Sequence, residues 1–288
     1  MAVPKPIKAA LVQTRSGRDI TRNMAMLDDL VRRAHGRGAR YALTPENSNI
    51  METDRERLFA VVRPEAEAPE VRHCRDLAKE LGLWLHVGSM AIRVASDRLA
   101  NRALLIAPDG TIAARYDKIH MFDVDLAGGE SYRESRSFQA GSEAVTADLP
   151  WGRLGLTICY DLRFPALFRT LAQAGADVIA VPSAFTRQTG EAHWHVLLRT
   201  RAIETGCYVL AAAQGGTHET GRVTFGHSLA VAPWGEIIAE GGTEPSVIDV
   251  AIDLGSVKDS RRKVPALHHD RDFSTPPADQ RPAIGRAS

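Results

Sequence analysis

Short apolar runs alternate with amphipathic stretches along most of the chain. The runs predict buried strands at residues 7–13, 41–44, 84–90, 102–107, 111–116, 154–159, 178–181, 207–213, 228–232, 236–239 and 247–252. In the stretches between some of them, apolar residues recur every three or four positions. This spacing predicts helices from residue 20 to about 36 and at residues 69–81, 165–174 and 192–205.

This alternation of strands and helices predicts an α/β fold. Strand pairs joined by short turns, such as Pro-Asp-Gly at 108–110, add antiparallel neighbours, so the sheets should be mixed. No Gly/Ser-rich or Pro-rich linker interrupts the middle of the chain, and we expect a single domain over residues 1–270. Residues 271–288 lack apolar periodicity and are predicted to form a tail that is loose or docks on a partner subunit.

Composition and charge narrow the classes of function. The 288 residues include 36 Lys and Arg against 35 Asp and Glu, which gives a net charge of +1. This balance offers no electrostatic reason to expect nucleic acid or a membrane surface as a partner. No apolar run approaches the roughly 18 residues of a membrane span. Three cysteines cannot form a disulfide framework, and their odd number favours reduced thiols, so we expect a cytoplasmic protein.

Cys159 is the cysteine whose position suggests chemistry. Cys74 lies on the apolar face of a predicted helix and Cys207 begins an apolar run, so both are expected to be small core residues. Cys159 ends the run at 154–159, shortly before Pro165 can open a helix. Ligands bind at such strand ends in α/β sheets, and a nearby helix start favours a thiolate. Position alone leaves a nucleophile and a structural thiol equally open.

A nucleophilic thiol needs a group that accepts its proton. The chain has 10 histidines, and none stands out by its position. Glu46 follows the predicted strand at 41–44, and Lys118 follows the one at 111–116. A charged residue after a strand is usually only solvated. Both residues are therefore candidates only if the fold brings them to Cys159.

Three segments resemble the signature blocks of the nitrilase, or carbon–nitrogen hydrolase, superfamily. They are Thr-Pro-Glu at 44–46, Tyr-Asp-Lys-Ile-His at 116–120 and Cys-Tyr-Asp-Leu-Arg-Phe-Pro at 159–165. Residues 182–185 and 201–214 are similar to the Nit-type amidase branch, and within it to the deaminated glutathione amidase group. The resemblance extends over nearly the whole chain.

The resemblance implies a four-layer α-β-β-α sandwich with a catalytic triad of Glu46, Lys118 and Cys159. Glu46 would act as general base, Lys118 and the backbone N–H of Tyr160 would stabilise the oxyanion, and a cysteine thioester would form. A further family glutamate corresponds to Glu134, for which a surface charge is the alternative. The implied chemistry needs no organic cofactor and no metal, and the sequence has no Cys-x-x-Cys or His-Glu-x-x-His spacing.

Four residues near these blocks are expected to bind the substrate: Tyr160, Arg163, Ser183 and Ala184. Arg163 could hold a substrate carboxylate through two parallel hydrogen bonds, and a salt bridge with Asp161 or another acid is the equally weighted alternative. Substrates of the Nit-type branch include ω-amides of 2-oxo acids and deaminated glutathione, which carry an amide and a remote carboxylate. The resemblance thus implies an amidase for such molecules.

Three other functions remain open: a nitrilase, an N-carbamoyl amino acid amidohydrolase, and a non-catalytic binding protein with the same fold. The filled triad positions weigh against the binding protein. The resemblance also implies a homodimer or a higher even homo-oligomer, with the helices at 165–174 and 192–205 and the carboxyl-terminal segment as the candidate interface. A small-molecule amide is the other partner we expect.

Overall fold

The computed structural model describes residues 6–126 and 129–274. The strands in these ranges are β1 (Ile7–Gln13), β2 (Tyr41–Leu43), β3 (Trp84–Arg93), β4 (Leu99–Ile106), β5 (Ile112–Asp117), β6 (Asp123–Asp125), β7 (Ser131–Arg133), β8 (Val145–Leu149), β9 (Gly152–Leu156), β10 (Val178–Ala180), β11 (Tyr208–Ala211), β12 (Gly215–Thr217), β13 (Val223–Phe225), β14 (Leu229–Val231), β15 (Ile237–Glu240) and β16 (Ser246–Ile252). The α-helices are α1 (Ile20–Gly36), α2 (Arg55–Val61), α3 (Pro69–Leu81), α4 (Pro165–Gln173), α5 (Arg187–Thr205) and α6 (Leu254–Lys263).

Two six-stranded mixed sheets carry the fold. The first has the order β16-β1-β2-β3-β4-β5, with β1, β2 and β3 parallel and the other pairs antiparallel. The second has the order β15-β14-β11-β10-β9-β8, with β9, β10 and β11 parallel. The last strand completes the first sheet, since Ile252 lies opposite Ile7 and Ser246 opposite Gln13. The prediction of mixed sheets is confirmed.

The sheets pack face to face, with helices on the outside. Side chains on the two faces of a strand alternate, and β2 shows the result. Tyr41 and Leu43 belong to the apolar core shared with the second sheet, whereas Ala42 belongs to the core shared with α1 and α3. Helices α4 and α5 pack on the second sheet. The structure is the four-layer α-β-β-α sandwich that the sequence predicts.

Local sequence explains where the helices begin and end. The Asp19 side chain accepts the N–H of Arg22 at 3.1 Å and so caps α1. Helix α3 opens with Pro69 and stops at Gly82, whose φ of 58° is the left-handed conformation that glycine adopts without strain. Helix α5 starts at Arg187 rather than at the predicted 192, because the Thr186 hydroxyl caps the additional turn.

Several predicted elements differ from the structure. Helices α2 and α6 are not predicted, because each buries too few apolar side chains to produce a stripe: Leu58 in α2 and Val257 in α6. The strand predicted at 154–159 ends at Leu156. The prediction of a single domain over residues 1–270 stays a prediction. Of the predicted tail, residues 271–274 have no regular structure and 275–288 lie outside the described residues.

None of the helices in the described part of the chain is both long and apolar enough to cross a membrane.

Candidate active site

Cys159 lies in a sharp turn just beyond the carboxyl end of β9. It adopts a φ of 49°, which is strained for a residue other than glycine, and it opens a single helical turn over Cys159–Arg163. Its N–H donates to the carbonyl oxygen of Pro182 at 2.9 Å, so the turn is fixed to the loop after β10. Cys159 is 6% exposed, whereas Cys74 and Cys207 are fully buried. Cys159 is thus the most exposed of the three cysteines, and it lies in a strained turn.

The buried side chain of Asp161 holds this turn in place. Its carboxylate accepts the Tyr116 hydroxyl at 2.6 Å, the Ile158 N–H at 2.9 Å and the His120 N–H at 3.1 Å. The His120 ring nitrogen Nδ1 lies 2.7 Å from the same carboxylate. With these partners Asp161 forms no salt bridge with Arg163, and no other acid among the described residues forms one either.

Glu46 reaches the cysteine turn from the other sheet, on the loop after β2. Its Oε1 accepts hydrogen bonds from Lys118 Nζ at 2.8 Å and from Asn101 Nδ2 at 3.0 Å, and its Oε2 accepts the Ala184 N–H at 3.0 Å. The residue is 3% exposed. The carboxylate therefore has a fixed orientation in the region where the two sheets meet.

Lys118 lies between two carboxylates. Its ammonium donates to Glu46 Oε1 and to Glu134 Oε2, both at 2.8 Å, and its side chain is 2% exposed. Glu134 Oε2 also accepts the Phe122 N–H at 2.7 Å. Such a cluster needs complete hydrogen bonding, because burying an unpaired charge is costly. Glu134 is thus a member of the buried cluster and not a surface charge.

Asn101 connects the two carboxylates. Its Nδ2 donates to Glu46 Oε1 at 3.0 Å and to Glu134 Oε1 at 2.9 Å, while its Oδ1 is buried without a hydrogen-bond partner among the described residues. Its backbone carbonyl accepts the Lys118 N–H at 3.0 Å. Asn101 therefore supports three members of the cluster.

Burial and charge act against each other on the titrating groups. Burial alone would raise the pKa of Glu46, but the Lys118 ammonium and hydrogen bonding from the Cys159 thiol lower it. Burial would lower the pKa of Lys118, yet Glu134 and Glu46 keep that pKa well above its usual value. Burial and the Glu46 charge raise the pKa of Cys159. The resting site is an ion-paired cluster beside a protonated thiol.

Close backbone contact brings the two halves of the site together at Gly88, in β3. A Cβ atom at Gly88 would lie 1.9 Å from the carbonyl oxygen of Thr44 and 2.4 Å from Cβ of Pro182. Thr44 leads into the Glu46 loop, and Pro182 accepts the Cys159 N–H. Only glycine fits here, so its absent side chain lets the base and the thiol approach each other.

A cavity of about 260 Å³ is lined by the triad candidates Glu46, Lys118 and Cys159, together with Glu134. Four arginines also line it, among them Arg163 and Arg222. The Arg163 guanidinium lies 3.2 Å from His193 Nδ1, and that of Arg222 donates to the Ala184 carbonyl oxygen at 2.5 Å. No carboxylate of the described residues forms an ion pair with either arginine. The cavity therefore offers positive charge to a ligand.

The expected substrate-binding residues have different environments. Tyr160, Arg163 and Ala184 line the cavity. The backbone of Ala184 contacts the candidate base, since its N–H donates to Glu46. Ser183 is fully buried, and its hydroxyl donates to the Val181 carbonyl oxygen at 3.0 Å. Its side chain does not line the cavity, and we give it no direct role in binding.

Sequence reasoning missed Asn101 and Arg222. Asn101 stands beside a predicted strand, and Arg222 lies in a polar segment without a recognisable motif. Their importance comes from tertiary contacts, and no pattern in a single sequence marks them.

One group of three possible metal-binding side chains exists in the described part of the chain, outside the cavity. His195, His227 and Glu240 place one ligand atom each within 4.8 Å of one another. Both imidazoles lie 2.9 Å from the same Glu240 oxygen, so hydrogen bonds account for the arrangement.

Comparisons with known proteins show the family of the chain. Residues 8–262 match the profile of the family described as carbon-nitrogen hydrolase. A deaminated glutathione amidase of Yersinia enterocolitica is 42% identical over 278 residues, covering 94% of this chain and 95% of its own. The crystal structure of the Caenorhabditis elegans NitFhit protein superimposes with a TM-score of 0.87 at 34% identity, covering 94% of this chain and 66% of that one.

An amidase from Nesterenkonia sp. AN1 is a further structural relative. It superimposes with a TM-score of 0.76 at 26% identity, covering 90% of this chain and 98% of that one. This crystal structure is of a point mutant of the amidase and is described as showing the result of Michael addition of acrylamide at the active site cysteine. With a family profile that spans most of the residues and relatives that align along nearly the whole length, the chain belongs to the carbon–nitrogen hydrolase family of the nitrilase superfamily.

Proposed function

We propose that this carbon–nitrogen hydrolase is a cofactor-independent amidase for a small carboxylate-bearing amide, with deaminated glutathione or the ω-amide of a 2-oxo acid as substrate. The observation that carries the proposal is the cavity in which Glu46, Lys118 and Cys159 meet beside the arginine Arg163. The naming of the Yersinia relative as a deaminated glutathione amidase supports the same substrate class.

In the first step, the thiol of Cys159 attacks the amide carbonyl carbon while the Glu46 carboxylate accepts its proton. The lowered pKa of Glu46, which reflects burial outweighed by Lys118 and the thiol, keeps the base ionised. The raised pKa of Cys159 means that proton transfer accompanies attack. The acrylamide-modified cysteine of the Nesterenkonia amidase supports a thiol nucleophile.

Negative charge then develops on the carbonyl oxygen. The Lys118 ammonium stays charged because Glu46 and Glu134 flank it, and it stabilises the oxyanion together with the backbone N–H of Tyr160. Glu134 fixes the position of Lys118, since its oxygens accept from Lys118, Phe122 and Asn101.

Collapse of this intermediate breaks the C–N bond, and Glu46 passes the thiol proton to the departing nitrogen. A thioester on Cys159 remains. Water then attacks the thioester carbon, Glu46 accepts a water proton, and the C–S bond breaks. The proton returns to sulfur, so each cycle consumes one water and releases an acid and an amine or ammonia.

Ammonia release tests the proposed activity across ω-amides of 2-oxo acids, N-carbamoyl amino acids and nitriles, and mass spectrometry of the products tests it with deaminated glutathione. We expect hydrolysis of an acid-bearing amide at a kcat/KM well above that for the other two classes. Preferential hydrolysis of carbamoyl amino acids or nitriles would overturn the substrate assignment. Absence of hydrolysis in all classes would overturn the amidase itself.

Arg163 tests the acidic substrate. A guanidinium that pairs with a desolvated carboxylate contributes roughly 2–4 kcal/mol, so Arg163→Ala should lower kcat/KM for an acid-bearing amide about 30- to 1,000-fold. Arg163→Lys should recover only part, because lysine keeps the charge but not the two-pronged geometry. A small neutral amide is the control and should lose much less. Equal losses on both substrates would show that Arg163 is structural.

We also propose a homodimer or a higher even oligomer in the cytoplasm. On α5, Val196 and Ile203 are 65% and 56% exposed, and nearby Trp234 is 51% exposed, which supports an interface on this face. All three cysteines are free thiols, as a reducing compartment favours. Sedimentation at micromolar concentration should show a dimer or larger species, and a 31.4 kDa monomer would contradict the assembly.

A further inference from the structure

Arg222 is a cavity-lining cation that the proposed reaction does not use. Its Nη2 donates to the Ala184 carbonyl oxygen at 2.5 Å, and its Nη1 lies 3.9 Å from the Met51 sulfur. Its Nε is buried and has no hydrogen-bond partner among the described residues. The residue is partly exposed, and none of the carboxylates in the described part of the chain forms a salt bridge with it, so an anionic ligand would supply the missing counter-charge.

Two of the arginines that line the cavity, Arg163 and Arg222, flank a row of aromatic rings formed by Tyr160, Phe122 and Tyr132. Neighbouring ring centroids in this row are 5.2 Å apart in both pairs. The Arg163 guanidinium lies 5.8 Å from the Tyr160 ring centroid, and that of Arg222 lies 5.2 Å from the Tyr132 ring centroid. Each end of the row therefore carries one positive charge.

The surroundings of each arginine indicate which part of a substrate it faces. Arg163 belongs to the same helical turn as Cys159, to which the acyl group becomes bonded. Arg222 lies next to the base instead, since the Ala184 peptide unit donates to Glu46 Oε2 and accepts from Arg222. Glu46 delivers its proton to the departing nitrogen, so the amine part of the substrate lies on the Arg222 side.

We propose that Arg222 binds a second carboxylate, carried by the amine part of the substrate, while Arg163 binds the carboxylate of the acyl part. This inference rests on the proposed amidase function and narrows the class of substrate. The preferred substrate is an amide with an acidic group on each side of the scissile bond. Deaminated glutathione has this pattern, because its acyl part keeps one carboxylate and its amine part ends in the glycine carboxylate. A primary ω-amide, which releases ammonia, has no group for Arg222.

A matched pair of substrates tests the assignment: deaminated glutathione, and the same molecule with its glycine carboxylate converted to a carboxamide. The variant Arg222→Met keeps the aliphatic stem and removes the charge. We expect it to lower kcat/KM about 30-fold or more for the carboxylate substrate and less than about threefold for the carboxamide. Arg222→Lys should give an intermediate loss that is again confined to the carboxylate substrate.

Arg55→Met is the matched control, because Arg55 also lines the cavity but is exposed and donates to the Asp97 carbonyl oxygen at 3.0 Å. It should leave the ratio of the two kcat/KM values unchanged. Equal losses on both substrates in Arg222→Met and Arg222→Lys would show that Arg222 only positions Ala184 and Glu46, and would overturn the inference while leaving the amidase intact. If the wild-type protein cleaves primary ω-amides but neither member of the pair, the inference alone fails. If it cleaves no amide, the proposed function fails as well.

Discussion

Replacing Asn101 with leucine tests whether the buried cluster depends on a residue that does not react. The substitution keeps the approximate size of the side chain and removes the amide that donates to Glu46 at 3.0 Å and to Glu134 at 2.9 Å. It also removes an oxygen that has no hydrogen-bond partner within the described residues. The carboxylates keep their bonds to Lys118 and to backbone N–H groups, so we expect Asn101→Leu to fold.

The size of the effect follows from the charge on the acceptors. A hydrogen bond to an ionised group contributes about 1.5–3 kcal/mol, so loss of the bond to Glu46 should lower kcat/KM roughly 10- to 150-fold. The pH dependence gives a second measure. Glu46 must be ionised to accept the thiol proton, and burial opposed by Lys118 and the thiol already lowers its pKa. Removing a donor raises that pKa, so activity should disappear at a higher pH as the solution is acidified.

The assay is kcat/KM against pH for the wild type, Asn101→Leu and a control variant. Asn49→Leu is the control, because Asn49 is buried and donates to Glu70 and to the Ala91 carbonyl oxygen, outside the cluster. It should lower the stability and leave the acid limb of the profile in place. If Asn101→Leu loses less than about threefold and its acid limb does not move, the amide is not needed to hold the base.

Four further substitutions test other parts of the structure. Cys159→Ala should abolish turnover, whereas Cys207→Ala should keep it and lower the free energy of unfolding by on the order of 1 kcal/mol; an active Cys159→Ala variant would refute the thiol mechanism. Lys118→Met leaves the buried Glu46 and the partly buried Glu134 without their cation and should cost about 3–5 kcal/mol in urea unfolding, so an unchanged midpoint would contradict the buried ion pair. Burial lowers the pKa of His86 to about 3. This residue should therefore leave the free energy of unfolding unchanged above about pH 6.5 and lower it by about 1.4 kcal/mol per pH unit below that pH. His86→Phe should flatten this acid slope, and an unchanged slope would contradict the assignment.

Much of the fold could be predicted because local signals agree with the tertiary structure. Pro69 and Gly82 bound α3 in the sequence as they do in the structure, and the apolar face between them is buried. Helix α6 could not be predicted, because it buries only Val257 and Ser260 and its mostly polar sequence has no apolar stripe. A pattern method detects the elements that supply many apolar residues to the core.

The site was less accessible to sequence reasoning than the fold. Position alone left Cys159 undecided, and the link to Glu46 and Lys118 came from the family blocks. The spacing of residues in the sequence does not show which of them meet in the fold. The structure does, since Lys118 Nζ lies 2.8 Å from Glu46 Oε1 although a long stretch of chain separates the two residues. Arg222 depends entirely on such contacts, because its surroundings come from Ala184 and Tyr132.

The position of β16 has a consequence for how the protein is made on the ribosome. Because Ser246–Ile252 pairs with Ile7–Gln13, β1 is synthesised long before the strand that covers its outer edge. A nascent chain without β16 exposes an unpaired and mostly apolar strand edge, which other chains can join. We therefore expect fragments that stop before residue 246 to aggregate, and the newly synthesised chain to depend on chaperones until β16 has left the ribosome.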